Sequence, residues 1–553
     1  VGFKLILLRR KMSGDALKIY TLAEVAQHNT AESAWIAVRG FVYDVTRFAK
    51  FHPGGRLVLL RFAGKECTTE FDQHHNELVM LKYHQKYCIG AVEKPKKGKP
   101  SRIEMMAKMN IPMPNIFGEL VPFGDPTWYQ GWASPYYTES HRKFRAIVRK
   151  FVDEEAIPNV HKWDEMKQMP RDFFQKAAQK GLLPIAVGPP WPAQYVTIQP
   201  EGLDPQEFDS FHELIFIDEV SRCASGGILW GLSGGLAIGL PPVLKFASEE
   251  LKQRVVPPCL SGEKIICLAV TEPWGGSDVA NLQTTARKSE CGKFYIVNGE
   301  KKWITNGVFA DYFTVAVRTG GPGMKGVSLL VVERGPGVTT KQMNCMGVWA
   351  SGTSYITFED VKVPVENLIG KENNGFKYIM QNFNHERWGI VAQSNRFARV
   401  CLEEAFKFAS RRRAFGKTLI EQPVIRAKLA EMGRQVMATH AALEDLTYQF
   451  DKMPKQLQPL ALGGHTALLK VQATKTFEFC AREAAQVLGG CSYTRDGQGN
   501  KVERLYREVR AYAIPGGSEE IMMDLGVRQT LKISKLVNAL RDAQRANKKQ
   551  AKL

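Results

Sequence analysis

The alternation of apolar and polar side chains predicts a small sheet near the beginning of the chain. Residues 34–48, with the sequence AWIAVRGFVYDVTRF, follow the two-residue period of strands and contain Gly40 where a turn is expected. Upstream, Thr21 is followed three residues later by Glu24, which is typical of a capping box at a helix N-terminus. We therefore expect a strand and a short helix, followed by a pair of strands.

Farther along the chain the pattern changes twice. Residues 134–158 and 169–183 carry apolar side chains at spacings of three and four, which predicts amphipathic helices. Residues 266–375 are rich in strand-forming Val, Ile, Tyr and Trp, and residues 376–536 return to the helical period. The pattern predicts helices, then a sheet, then helices.

One apolar run approaches the length of a membrane span. Residues 224–244, with the sequence ASGGILWGLSGGLAIGLPPVL, contain no charge, and the next charged side chain is Lys245. Its glycines and prolines disfavour a spanning helix. We expect a buried helix and turn, and no membrane span.

Size and composition narrow the class of protein. A chain of 553 residues is too long for one core, so we expect two to four domains. The net charge is +19 and the pI about 9.4, but no nucleic-acid-binding motif accompanies them, so no nucleic-acid partner is predicted. The 10 Cys form no CxxC pair, which argues against disulfides and zinc.

Changes in pattern and composition divide the chain into seven parts. Residues 93–115 are rich in Lys and Pro and predict an extended linker. The first eleven residues precede Met12 and lack a signal-peptide pattern. The predicted parts are an upstream segment 1–12, a first domain 13–92, a linker 93–115, a helical domain 116–265, a β-rich domain 266–375, a helical domain 376–536 and a basic tail 537–553.

The first domain contains two histidines in a recognisable setting. His52 begins an H-P-G-G turn, and His75 follows an amphipathic stretch that includes Phe71. With V-Y-D-V-T-R-F upstream, this resembles the haem-binding core of cytochrome b5. The resemblance implies haem b, with His52 and His75 as axial ligands and with Phe48 and Phe71 near the porphyrin. His74 is the alternative second ligand.

Two His ligands would leave haem iron without an open position, so the implied role is electron transfer. The direction of that transfer is not encoded in the sequence.

A second motif lies in the β-rich domain. Residues 274–278 form a Gly/Ser/Asp turn whose backbone N–H groups, beside the Ser277 hydroxyl, suit a polar or anionic ligand. Trp303 and Thr305 stand two apart, so on a strand they would share one face and offer a bed for a flat ring. A plain hairpin with a core Trp is the alternative.

The run V-T-E-P-x-x-G-S-D followed by W-I-T-N-G closely resembles the flavin-binding region of acyl-CoA dehydrogenases. The resemblance covers about residues 116–536 and implies a multidomain chain: an α+β cytochrome b5-like domain, then a helical N-domain, a β-barrel or sheet middle domain and a helical C-terminal bundle. Thr305 would bond the reactive flavin edge, Trp303 would pack on the ring, and Ser277 would also lie near the acyl-CoA. The residues implied to line FAD here are Leu268, Val270, Thr271, Gly276, Ser277, Trp303 and Thr305.

Removing an α-proton from an acyl thioester requires a base, and a carboxylate in a dry site suits that task. Many family members carry it in a C-terminal Y-E-G-T motif, where this chain has Gly516. Long-chain and isovaleryl-type members have Gly there and an E-R pair on an earlier helix, which matches Glu386 and Arg387. The resemblance implies Glu386 as the base, with Asn384, Arg387 and Gly516 at the substrate. An ordinary helix-surface pair is the alternative.

Other positions match the part of the family that reaches FAD across a subunit boundary. The family has a Gln where this chain has Pro423, and the adjacent Gln422 is the Gln that this chain offers beside that position. Sharing of FAD implies a homodimer or a homotetramer. The residues concerned are Arg412, Phe415, Gln422, Gln486, Gly489, Gly490, Ser518 and Glu520.

The leading functional hypothesis is an FAD-dependent acyl-CoA dehydrogenase that forms trans-2-enoyl-CoA in fatty-acid β-oxidation, fused to an electron-transferring haem domain. Two alternatives are a non-catalytic acyl-CoA- or flavin-binding scaffold, motivated by Gly516, and an enoyl-CoA reductase fed by the haem. The electron acceptor is not encoded.

The last three residues, Ala551, Lys552 and Leu553, are similar to the S-K-L peroxisomal address. We expect a peroxisomal location, with cytoplasmic and mitochondrial locations as alternatives.

Overall fold

The computed structural model describes residues 17–75, 77–93 and 116–550. The predicted upstream segment 1–12, nearly all of the predicted linker and the terminal tripeptide lie outside these residues.

The first domain is a five-stranded sheet with short helices. The predicted strand pair is confirmed, since Ile36 lies opposite Tyr43 in antiparallel register, and the capping box of Thr21 and Glu24 is present. The sheet order is β1-β5-β3-β2-β4. The elements are β1 (Ile19–Tyr20), α1 (Leu22–Ala26), β2 (Trp35–Val38), β3 (Phe41–Asp44), α2 (Arg56–Leu60), β4 (Lys65–Glu66), α3 (Thr68–His74), α4 (Glu77–Tyr87) and β5 (Cys88–Val92).

The second part is helical, as its period predicts. Its long helices place apolar faces against one another, and Phe144, Phe173 and Phe216 are buried in the large core. The helices are α5 (Glu139–Phe151), α6 (Val160–Glu165), α7 (Arg171–Gln179), α8 (Ser210–Ser221), α9 (Gly226–Leu229), α10 (Gly235–Ile238), α11 (Leu240–Phe246) and α12 (Glu249–Leu260).

The apolar run predicted to be buried lies inside this core. Within the described residues, one stretch, Gly226–Phe246, is long and apolar enough to cross a membrane, with a mean hydropathy of 1.5 over its best window. That window is 72% buried inside the protein, which is typical of a core helix.

The middle part is a seven-stranded sheet. The order is β10-β9-β7-β8-β12-β11, and β6 pairs in parallel with β9. The strands are β6 (Ile266–Ala269), β7 (Thr285–Lys288), β8 (Phe294–Ile304), β9 (Tyr312–Arg318), β10 (Val327–Glu333), β11 (Val338–Gln342) and β12 (Ser354–Pro364).

The ends of β6 and β8 meet, although the two strands do not form a hairpin. The N–H of Lys302 donates to the carbonyl of Thr271 at 2.9 Å, which joins the two halves of the flavin motif. The expectation that Trp303 and Thr305 share a strand face is wrong. β8 ends at Ile304, and Trp303 has a φ of 59°, which breaks the alternation.

The last part is a helical bundle built on two long helices, α13 and α16. The predicted boundary at residue 536 falls inside the last helix, which continues to Gln550. The first domain has cores of its own. The remaining elements are α13 (Gly375–Arg411), a two-stranded ribbon of β13 (Arg413–Ala414) and β14 (Lys417–Thr418), α14 (Pro423–Lys452), α15 (Gln458–Ala461), α16 (Gly463–Leu488), α17 (Asn500–Ala513) and α18 (Glu519–Gln550).

Candidate active site

A cavity of about 100 Å³ lies between α8, the segment that follows α9, and α13. Apolar side chains form most of its wall, including Phe216, Ile217 and Ile390. The polar side chains that line it are Glu213, Trp230, Ser233, Thr305, His385, Glu386 and Gln393. An apolar cleft with a few converging polar groups is the usual form of a ligand site.

Glu386 faces this cavity from α13. Its Oε2 atom is buried and accepts no hydrogen bond from any described residue. Burial raises the pKa of this carboxyl above its ordinary value, although Arg387, His385 and Lys470 oppose the shift. A desolvated, unpartnered carboxylate is a stronger base than a solvated one, which is the property that proton abstraction from carbon requires.

Gly516 lies beside Glu386. Its φ is +69°, and a Cβ added there would lie 4.0 Å from Glu386 Oε1 and 2.9 Å from Ile390 Cδ1. The position where other family members are expected to carry the base therefore adjoins the position of this carboxylate.

Arg387 holds the segment that contains Gly516. Its Nε donates to the Gly516 carbonyl at 2.8 Å, and its Nη1 donates to Asn384 Oδ1 at 3.2 Å. Lys470, which the sequence did not single out, donates to the carbonyls of Ala513 and Gly517 at 2.6 and 2.9 Å. Burial lowers the pKa of Lys470 to about 8. Two cations thus fix the loop against the base.

The predicted FAD residues of the middle part differ in exposure, and one of them, Thr305, lines the cavity. Thr305 lines the cavity that Glu386 lines, and its Cγ2 would be 3.3 Å from a Cβ added at Gly234. Trp303 is 51% exposed, and Lys302 Nζ lies over its ring, 4.6 Å from the centroid. Gly276 and Ser277 are exposed in the turn, whereas Val270 is buried and Leu268 and Thr271 are half-buried. This surface fits a planar ring that ends at the cavity.

A fully buried ion pair lies directly behind this turn. Lys301 Nζ donates to the Val270 carbonyl at 3.0 Å and to Glu272 Oε1 at 2.8 Å, and Glu272 also accepts the N–H groups of Gln283 and Thr284. Burial lowers the pKa of Lys301 to about 8, which still leaves it charged at neutral pH. The pair fixes the backbone that carries the predicted FAD contacts. The sequence contains the motifs T-E-P and E-K-K-W, but it gives no signal that Glu272 of the first pairs with Lys301 of the second.

The remaining predicted FAD residues lie at the surface of the C-terminal bundle. Phe415 is 96% exposed at the tip of the β13–β14 ribbon. Gln486, Gly489 and Gly490 are exposed at the end of α16, and a Cβ added at either glycine would meet nothing within 4 Å. Arg412, Gln422 and Ser518 are half-buried, and Glu520 is exposed. Their outward position suits contact with a ligand held by a second copy, which stays a prediction.

In the first domain, the rings of His52 and His75 face each other with centroids 5.9 Å apart. Two metal–nitrogen bonds of about 2.0 Å, plus the ring radii, require a similar separation. The Nδ1 of His52 lies 3.3 Å from the Gly55 carbonyl and that of His75 lies 3.1 Å from the Phe71 carbonyl. These contacts leave both Nε2 atoms for iron.

The surroundings of the two rings also fit a haem crevice. Phe71 stacks on His75 at 4.5 Å, and Phe48 makes an edge contact with His52 at 5.9 Å. Burial lowers the pKa of His75, which favours the neutral ring that binds a metal. His74, the alternative ligand, is exposed at the end of α3. The residues present fit an iron held by His52 and His75.

The cavity also contains a polar contact between His385 and Glu213, which was not predicted from the sequence. His385 Nε2 lies 2.8 and 3.0 Å from the two carboxylate oxygens of Glu213, which is buried in α8. His385 directly precedes Glu386, but nothing in the sequence indicates that a residue of α8 lies against it.

Comparisons with known proteins agree with this division of the chain. Residues 21–93 match the cytochrome b5-like heme/steroid binding domain. The acyl-CoA dehydrogenase N-terminal, middle and C-terminal domains match residues 138–263, 267–361 and 373–531.

Individual relatives cover the dehydrogenase part. Acyl-CoA dehydrogenase apdG of Emericella nidulans is 43% identical over 75% of this chain and 96% of its own length. The 3-(aryl)acrylate reductase of Clostridium sporogenes is 30% identical over 70% of this chain and 97% of its own.

A solved acyl-CoA dehydrogenase of Bacillus anthracis, complexed with FAD, superimposes with a TM-score of 0.65 and 25% identity over 72% of this chain and 69% of its own. The predicted fold class is confirmed, and the enzyme class is that of an oxidoreductase. FAD is the cofactor of the dehydrogenase part and haem that of the first domain. The chain belongs to the acyl-CoA dehydrogenase family and carries a cytochrome b5-like domain ahead of the dehydrogenase fold.

Proposed function

We propose that the protein is an FAD-dependent acyl-CoA dehydrogenase in which Glu386 removes the α-proton and the product is a trans-2-enoyl-CoA. The observation that carries this proposal is the buried, unpartnered Oε2 of Glu386 in a cavity that Thr305 also lines. FAD, when bound, supplies an acceptor for the β-hydrogen as hydride. Two hydrogens leave the acyl chain in this way, one as a proton on Glu386.

The chain's own residues would act before and during that step. Glu386 holds the abstracted proton, and its raised pKa makes it a better acceptor than a solvated carboxylate. Arg387 and Lys470 hold the Gly516 loop beside Glu386. The apolar wall, including Ile217 and Ile390, excludes water from the reacting carbons.

The haem domain is proposed to carry electrons between the dehydrogenase part and an external partner. His52 and His75 would together hold the iron and would leave it no open position for a substrate, which favours electron transfer over oxygen chemistry. Haem held there would supply one-electron exchange, so two transfers would be needed for each acyl group.

A second candidate function is the reverse reaction, reduction of an enoyl-CoA. The relative named 3-(aryl)acrylate reductase favours it, since a protein 30% identical to this chain over 97% of its own length is there named a reductase. The same proton site would serve, with Glu386 donating in place of accepting.

Anaerobic titration of the purified holoenzyme with acyl-CoA thioesters of increasing chain length tests these candidates. Bleaching of the flavin absorbance band supports the dehydrogenase. Oxidation of the chemically reduced enzyme by an enoyl-CoA, without bleaching by any acyl-CoA, supports the reductase. Tight binding without a change in either direction supports a non-catalytic scaffold and contradicts both.

Assembly and location are further parts of the proposal. The exposed Phe415, Gln486, Gly489 and Gly490 support a homodimer or homotetramer that shares FAD between subunits. Light scattering of the holoenzyme measures this directly, and a monomer with full FAD content contradicts it.

The tripeptide Ala551–Leu553, if Leu553 is the terminal residue, supports a peroxisomal location and a role in fatty-acid β-oxidation. A reporter that carries the last twelve residues should colocalise with a peroxisomal marker, and deletion of Leu553 should disperse the full-length protein. A full-length protein that is mitochondrial or diffuse with its tail intact contradicts the address.

A further inference from the structure

No step of the proposed proton abstraction uses the Glu213–His385 pair, yet the pair occupies part of the cavity in which abstraction would occur. Glu213 is 2% exposed, and both residues line the cavity wall. A cavity for a plain alkyl chain would gain affinity from apolar side chains at these positions. A buried carboxylate there costs free energy unless its hydrogen-bonding capacity is used.

That capacity is only partly used within the protein. An ionised carboxylate can accept about four hydrogen bonds, and among the described residues the Glu213 carboxylate has His385 Nε2 as its one hydrogen-bond partner. His385 Nδ1 has no hydrogen-bond partner among the described residues, and the side chain is 26% exposed. Acceptor capacity on Glu213 and a second ring nitrogen on His385 therefore remain for a ligand.

The pair is also built into the fold with little freedom to withdraw. Gly188, which has a φ of +74°, closes over it, since an added Cβ would lie 3.0 Å from Glu213 Oε2 and 3.1 Å from His385 Nε2. Trp388 stacks on His385 from the same helix with centroids 5.7 Å apart. The polar groups are thus held in place before any ligand arrives.

We propose that Glu213 and His385 recognise a hydroxyl group on the acyl chain, beyond the β-carbon, so that the preferred substrate class is a hydroxyacyl-CoA. This inference rests on the proposed function and adds the substrate class to it. A hydroxyl can donate to the Glu213 carboxylate, whose orientation His385 Nε2 fixes, or it can bond His385 Nδ1, donating to the neutral ring and accepting from the protonated ring. A carboxylate or keto group offers only acceptor atoms and would place them against the Glu213 carboxylate, which also only accepts.

The test compares CoA thioesters of one chain length. Octanoyl-CoA and a series of hydroxyoctanoyl-CoAs, substituted at successive carbons from C4 outward, are assayed for kcat/KM with a dye as electron acceptor. We expect one hydroxylated isomer to exceed octanoyl-CoA by about ten- to a hundredfold, the range of one hydrogen bond to a charged group. A ratio of one or below for every isomer overturns the proposal.

Variants separate recognition from a structural role. Glu213→Leu should remove the preference, lowering kcat/KM for the hydroxylated isomer while octanoyl-CoA keeps or gains activity. Ile238→Val, on another wall of the cavity, is the matched control and should change kcat/KM by the same factor for both substrates. If Glu213→Leu lowers kcat/KM equally for both substrates, the pair only supports the base, and the proposal is wrong.

Two safeguards keep the result decisive. Should Glu213→Leu fail to fold, Glu213→Gln retains the shape but weakens acceptance, and it should lower the ratio of the two kcat/KM values by about tenfold. An unchanged ratio in that variant also counts against recognition.

If neither class of thioester reduces the flavin, the proposed dehydrogenase function fails. If octanoyl-CoA reduces the flavin as well as every hydroxylated isomer does, only the substrate inference fails.

Discussion

The haem crevice and the acyl cavity both position histidine rings, but by different means. In the crevice, His52 lies against the Gly55 carbonyl and His75 against the Phe71 carbonyl, so each ring is oriented by a backbone group three or four residues away. In the cavity, His385 is oriented by Glu213, which lies 172 positions away in the chain. One site is assembled from local contacts and the other from the whole dehydrogenase fold.

This difference predicts how each site responds to change. A locally assembled site loses function through its own few residues and leaves the rest of the protein intact. A site assembled across elements depends on buried groups whose partners lie far away, so its variants alter chemistry and stability together. The following predictions test that contrast.

The largest effect is expected at the proposed base. Glu386→Gln keeps the volume and polarity of the side chain but removes the proton acceptor, so flavin reduction by an acyl-CoA should slow by about 10²–10⁴-fold. FAD content and acyl-CoA binding should stay near wild type. Stopped-flow absorbance under anaerobic conditions measures the rate. Glu519→Gln is the matched control, because Glu519 begins α18, accepts from Thr474 Oγ1 at 3.3 Å and does not line the cavity. Near-normal reduction by Glu386→Gln would contradict the assignment.

The raised pKa of Glu386 gives the same step a pH dependence. The carboxylate must be ionised to accept a proton, and burial raises its pKa above that of an ordinary Glu. The rate of flavin reduction should therefore rise with pH through that raised pKa and level off above it. A rate that is flat down to the pKa of a solvated Glu would show that another group limits the step.

The haem ligands should give a complete but confined loss. His52→Ala or His75→Ala removes one of two iron ligands and should abolish the six-coordinate haem spectrum. Flavin reduction by substrate should stay within about twofold, because the first domain has separate cores. Visible absorbance of the reduced protein measures the haem.

His74→Ala is the natural control for that experiment, since His74 is exposed beside the ligand. Retention of the six-coordinate spectrum by His75→Ala, together with its loss in His74→Ala, would exchange the two assignments. Loss of flavin reduction in the ligand variants would instead show that the two domains depend on each other.

A smaller, structural effect is expected behind the flavin turn. Lys301→Met leaves Glu272 as a buried charge without its cation, which typically costs about 3–5 kcal/mol in the free energy of unfolding. The turn that carries Val270 and Thr271 should loosen, so FAD should dissociate faster. Urea unfolding and the rate of FAD release measure the two effects. Lys362→Met, an exposed lysine of the same sheet, should change neither.

The contrast between the two sites also explains what could be predicted from the sequence. The β2–β3 pair and the capping box follow from short-range patterns and are confirmed. The helix–sheet–helix order follows from periodicity, and the base and flavin positions from a resemblance. Positions that depend on tertiary contact were missed, because a pattern of period two or 3.6 carries no information on which distant elements meet.

Trp303 shows the same limit within one strand. Its spacing from Thr305 predicted a common face, but the left-handed backbone at Trp303 ends the regular alternation just before the strand ends. No sequence signal indicated the Lys301–Glu272 pair or the His385–Glu213 pair. In each pair the local pattern of either segment is explained without the other segment. Buried charge is the feature that identifies both, and it is visible only in the fold.

The smallest effect is expected at the local cap of the first domain. Thr21 Oγ1 accepts the N–H of Glu24 at 3.1 Å, and Glu24 accepts the N–H of Thr21 at 2.6 Å. Thr21→Ala removes the side-chain half of this box and should cost about 1 kcal/mol in the unfolding of the haem domain alone. Urea unfolding followed at the haem band measures it, while the flavin signal serves as the internal control.

The pH dependence of this variant identifies the box as the cause. The contacts with the backbone N–H and side chain of Thr21 lower the pKa of Glu24, so its contribution to stability is present above the pKa of an unfolded Glu and is lost as the pH falls through the lowered value. The difference in stability between wild type and Thr21→Ala should therefore narrow as the solution becomes acidic, down to the part that the hydrogen bond from the Glu24 N–H to Thr21 Oγ1 contributes at every pH. A difference that stays constant with pH would mean that the threonine acts only through the hydrogen bond from the Glu24 N–H to its Oγ1, and not through the Glu24 carboxylate. A difference that also appears in the flavin signal would mean that the first domain is not the locally organised unit that its haem crevice indicates.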